Sequence, residues 1–122
     1  MDRHPSLAGL AGLGLLGLCL LLPAPWVRGA EEDALAAGDA AWSRRAVGHQ
    51  GIHAGTGPID EAIAAYERAA RAQPDRLEVT WKLLRAVHFK GEFVARSAAE
   101  KRAIFGRGRD LAEAGLDRLA QR

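Results

Sequence analysis

Histidines, acidic pairs and one glycine-rich stretch are the only features of this 122-residue chain whose types and spacing invite a chemical reading. His49 and His53 stand four apart, the spacing that lets two imidazoles on one helix face grip a metal ion. They lie in the stretch from Val47 to Gly57, where four glycines in eleven residues work against a continuous helix. No acidic residue follows before Asp60, so a solvated loop is expected there and no metal site. Asp60-Glu61 and the pair Asp75 and Glu78 resemble acid/base couples, but each falls where a helix begins and has a ready role at its N-terminus. Gly106-Arg107-Gly108-Arg109 follows a helical stretch and lacks a Lys-Ser/Thr ending, so it is no phosphate loop. Ser43, Thr80 and Ser97 have no His and Asp at suggestive positions. The reading is a binding protein with no catalytic residues, no cofactor and no metal, rather than an enzyme.

Residues suited to recognition are easier to find. Glu78, Trp81, Arg85 and His88 recur at three, four and three, which puts them on one side of a helix. Trp81 offers a rigid contact, and Arg85 can grip a carboxylate with two hydrogen bonds. Trp42 and Arg45, three apart, extend the same surface. The competing reading makes Trp81 a core residue and Arg85 a solvated charge. With 17 basic and 15 acidic residues, interspersed along the chain, no concentrated patch for nucleic acid is present.

The elements that must carry these residues begin after a leader. Leu7 to Leu22 is an uncharged run made almost wholly of Leu, Gly and Ala, preceded by Arg3 and followed by Pro23, Pro25 and small residues. This order predicts a signal peptide over 1–29, cleaved after Gly29, and a chain exported to the periplasm or cell envelope. An uncleaved leader would be the only route to a membrane. The run has 16 residues, short of the roughly 20 of a spanning helix. Cys19, the only cysteine, follows Leu18 and not the small residue a lipoprotein signal requires.

Residues 30–122 read as four helices, an all-α domain. The first runs from about Glu31 to Arg45 with Leu35 and Trp42 on one face. The second opens with Pro58 and carries the stripe Ile59, Ala62, Ile63, Tyr66, Ala69 and Ala70. The third has Asp75 as N-cap with Glu78 three residues on, and ends near Lys90 with Gly91 in the turn. Leu77, Trp81, Leu84 and His88 form one side of it, and Leu83, Ala86 and Val87 widen the apolar face. Tyr66 and Trp81 are both expected to be substantially buried. The fourth opens with the capping box Ser97 to Glu100, and Phe105, Gly108, Ala112, Gly115, Leu116 and Leu119 line one face. The glycines on that face predict a close neighbouring helix, the competing reading being a kink near Gly106 and Gly108. A stripe continuing to Leu119 predicts a self-contact or cover by further C-terminal chain, so a homo-oligomer is among the expected assemblies.

Ala62, Tyr66, Ala69 and Pro74 match the small, aromatic, small and proline positions at the end of a tetratricopeptide repeat. Trp81, Leu83, Ala86 and then Gly91-Glu92-Phe93 look like the helix that opens the next one. The chain therefore resembles the tetratricopeptide-repeat family, with the specific part from Ile59 to Phe93. Leu84 departs from the pattern, which usually has glycine there, and the loop before Pro58 is too long. The order of segments is similar to bacterial exported tetratricopeptide proteins, such as the T-component proteins associated with TRAP transporters. The resemblance implies antiparallel helix pairs in a short array whose groove holds a protein partner. The alternative it implies is a ligand-binding accessory of periplasmic solute transport.

Overall fold

Ile59, Ala62, Ile63, Tyr66 and Ala69 recur at helical spacing, and the helix they define is the centre of the molecule. The computed structural model describes residues 25–122, in which α1 (Pro25–Ser43), α2 (Thr56–Ala72), α3 (Leu77–Phe89) and α4 (Ala98–Ala120) follow one another. A five-residue π-helical turn, Lys90–Val94, extends α3. The chain is all-helical over these residues, and none of the described helices is long and apolar enough to cross a membrane. The expected leader falls almost wholly outside the described residues. The helix α1 runs through the expected cleavage point and so begins earlier than the sequence suggests.

Each helix packs mainly on its neighbour in sequence, with the widest contact between α1 and α2. These two run antiparallel: Glu31 bonds Gln73 at one end, and Arg44 pairs with Glu61 at the other. In the middle Tyr66 is fully buried against Gly38, where any side chain would collide with its ring. Leu35 and Ala41 of α1 complete this part of the core.

The second layer is α3 with α4. The core face of α3 is Val79, Leu83, Ala86 and Val87. This corrects the expected burial of Trp81, which is 45% exposed, and Leu77 on the same side is 54% exposed. Periodicity finds two overlapping apolar stripes on α3, and the position of α2 decides between them. Its N-terminus also differs from expectation. The N-cap is Arg76, with no side-chain cap bond, and Glu78 is engaged by Arg76 and Lys82 instead.

Gly91 is a further correction. It does not end the helix but lies buried inside the π-helical turn, where an added Cβ would come within 2.6 Å of the Phe105 ring. Gly108 and Gly115 face Val87 and Thr80, so the expected close approach is met and α4 runs without a break. The contacts Gly91–Phe105, Gly108–Val87 and Gly115–Thr80 run in opposite senses along the two helices, which are therefore antiparallel. The start of α4 is as expected: Ser97 accepts from the Glu100 N–H at 3.1 Å, and the Glu100 carboxylate accepts from the Arg96 N–H at 2.7 Å.

Candidate functional site

Asp39 on α1 fixes the relation between α1 and α3. One of its carboxylate oxygens accepts from the Tyr66 hydroxyl at 2.7 Å, and the other from Lys82 Nζ at 2.7 Å. Lys82 also meets Glu78 at 3.0 Å, and Glu78 meets Arg76, which reaches back to Glu32 of α1. Burial alone would raise the Asp39 carboxyl's pKa, but Lys82 and Tyr66 outweigh it and hold it below its ordinary value. Burial, reinforced by the Asp39 hydrogen bond, pushes Tyr66 up to about 12, with the Arg85 guanidinium pulling the other way.

With α1 and α3 held in this register, four of the sequence-predicted residues meet. The Arg85 guanidinium carbon lies 4.0 Å from the centre of the Trp42 ring and 4.7 Å from that of Trp81. Arg45 lies 4.2 Å from the same Trp42 ring and 5.6 Å from Phe89, and donates to the Trp42 carbonyl at 3.1 Å. Trp42 meets Phe89 edge-on at 5.6 Å. Aromatic faces attract guanidinium groups by their quadrupole, at about 0.5–1 kcal/mol where solvent is near. The cluster therefore holds Arg85 in place without neutralising it.

Arg85 makes no ion pair among the described residues, and its Nε is buried without a hydrogen-bond partner. The Tyr66 hydroxyl and the Asp39 carboxylate are near enough to feel its charge, and a guanidinium fixed between rings and outside any ion pair is suited to a carboxylate or another planar anion. Trp81 stands beside it with nearly half its surface open.

The other two candidates stand apart. Glu78 lies on the α1 side of α3, but both its oxygens are used by Arg76 and Lys82. His88 turns toward α4, its ring 5.6 Å from that of Phe105. The stripe of four therefore splits, with Arg85 facing α1, His88 facing α4 and Trp81 between them. Sequence reading missed Asp39, Lys82 and Phe89. Phe89 is eight residues after Trp81, so it shares that side of the helix, and this spacing was the one available signal for it.

The loop histidines form no comparable centre. His49 is exposed and its Nδ1 lies 3.1 Å from the Ala46 carbonyl. His53 joins Gln50 across a tight turn through paired backbone bonds of 2.8 and 3.0 Å, with Gly51 at positive φ. Among the described residues no three His, Cys, Asp or Glu side chains gather where a metal could sit. Comparison with protein-family models, curated proteins and solved structures finds no match to this chain.

Proposed function

We propose that the protein is an exported helical-repeat adaptor of the tetratricopeptide kind, which binds a protein partner across the face shared by α1 and α3. The observation that carries this reading is Arg85, held by Trp42 and Trp81 and lacking a carboxylate partner among the described residues. Trp81 supplies the exposed aromatic anchor, Arg85 the grip on an acidic group, and Trp42 with Arg45 the flank. Export rests on the run Leu7 to Leu22 and the small residues after it.

A photo-crosslinking amino acid in place of Trp81, in cells expressing the full chain, tests the binding face. A discrete adduct is expected there and not from the same probe in place of Arg68, which is exposed on α2. Arg85→Ala should abolish the adduct without changing helix content. An adduct indifferent to Arg85→Ala, or equal at both positions, would remove the face from consideration. Export is checked separately by N-terminal sequencing of cell-envelope material, where Ala30 is the expected first residue. An intact Met1 on membrane-bound protein would instead make the leader an anchor.

A further inference from the structure

We infer that the outer edge of α4 is the contact surface of a two-fold dimer, in which a second copy of this chain lays its own α4 antiparallel along it. This edge is distinct from the face shared by α1 and α3.

None of the 23 residues of α4 is buried. One edge of the helix rests on α3 through Ile104, Gly108, Leu111 and Gly115. The surface turned away from α3 carries Gly106, around which the space is open, and on its flank Leu116, 65% exposed. Gly115 is explained by the approach of α3, where a Cβ would come within 3.1 Å of Thr80, and Gly108 lies in ordinary contact with Val87, but nothing within the chain approaches a side chain placed at 106. An unexplained glycine inside a helix costs about 1 kcal/mol relative to Ala, so the gap it leaves calls for a neighbour.

The charges along this edge say which neighbour. Its N-terminal half is basic, with Arg102 and Arg109, and its C-terminal half is acidic, with Glu113 and Asp117. Among the described residues Arg102 and Asp117 form no ion pair, and the Arg109 contacts to Asp110 and Glu113 are both long, at 3.9 Å. An antiparallel copy reverses the order of charge, so each basic half meets an acidic one. One register meets all these demands together. Setting Leu116 of one copy over Gly106 of the other brings Arg109 opposite Glu113, and Arg102 within three residues of Asp117. The two-fold axis repeats each contact, as an isologous interface requires. A helix of unrelated charge order would gain the apolar contact alone.

Arg102 and Asp117 are fifteen residues apart on one helix, about 22 Å, so they cannot pair within a chain. This separation makes the test specific. Two differently tagged full-length copies are expressed together and one is purified through its tag. Wild-type copies should be recovered together. Arg102→Glu in both copies, or Asp117→Arg in both, should lower recovery about tenfold through like-charge contact at two symmetric sites. One copy with Arg102→Glu and the other with Asp117→Arg should restore it, because the two substituted positions then attract each other with their signs exchanged, and the second symmetric site keeps its native pair. Circular dichroism should show equal helix content in all variants. Copies that do not co-purify, as when another protein covers this edge, overturn the proposal. So does association indifferent to the charge changes, or a mixed pair that is not restored.

Discussion

Tyr66 concentrates more of the stability argument than any other side chain. It is fully buried, fits against Gly38, and donates to Asp39. Tyr66→Ala should cost about 3–5 kcal/mol, by the measure of other buried aromatic truncations, against roughly 5–15 kcal/mol for a whole domain. Gly38→Ala, which forces a methyl into the same ring, should cost about 1–3 kcal/mol through overpacking. Urea unfolding of the two variants gives both numbers. The phenol also makes an alkaline prediction. Its folded pKa of about 12 lies above its ordinary value near 10, so folding favours the neutral form. The stabilisation is complete below about pH 10 and is lost as pH rises toward 12. Tyr66→Phe should show a smaller fall in melting temperature between pH 9 and pH 11 than wild type. The burial of Tyr66 was legible, because its stripe is regular. Its partner was not: Gly38 in mid-helix signals that something comes close, and only the fold says what. Arg85 was legible as a candidate from its spacing to Trp81. That it stands near Asp39 yet outside any ion pair depends on which side of α3 faces α1, and spacing is silent on that.

The helices differ in how plainly the sequence announces them. The second needed only its stripe, and the fourth only Ser97 and Glu100. Ser97→Ala should remove about 1 kcal/mol, seen as a lowered urea midpoint, since it leaves the Glu100 N–H without its acceptor. The third is legible in part: Leu83, Ala86 and Val87 are buried as expected, while Val79 joins them and Trp81 does not, because Leu77, Trp81 and Leu84 form as good a stripe as Val79, Leu83 and Ala86. The π-helical turn at Lys90–Val94 is not legible, since Gly91 suits a helix C-terminus and its real task, making room for Phe105, is set by how the next helix folds back. The tie between α1 and α3 through Asp39, Lys82 and Glu78 was equally hidden, being three charges on separate turns. It has a consequence in acid. Asp39 and Glu78 are both held below their ordinary pKa, Glu78 by its bonds to Lys82 and Arg76. Their contribution is present above the unfolded values near pH 4 and disappears as pH falls through the lower folded values. Melting temperature should therefore drop below about pH 4. Asp39→Asn should start lower at pH 7 and lose less between pH 5 and pH 2.

Across the whole molecule, packing follows chain order, α1 on α2, α2 on α3 and α3 on α4. Contacts between sequence neighbours keep loop-closure costs small and favour fast folding. The all-helical class was legible for this reason: no element depends on a remote partner for its identity. The unequal depth of the layers was not, since the stripe on α4 is as regular in sequence as that on α2, yet α2 buries six residues and α4 none. That inequality sets a gradient of opening. A helix held at its edge can detach and exchange its amide hydrogens while the rest stays closed, whereas amides beneath Tyr66 exchange only when the molecule unfolds. Deuterium uptake should run through α4 well before α2, and equal protection in the two would contradict the gradient. Anything that grips the detachable helix draws its binding energy against this local opening alone. Protection of α4 amides should then rise with protein concentration while protection of α2 stays fixed, making exchange a direct gauge of how often the last helix is held from outside.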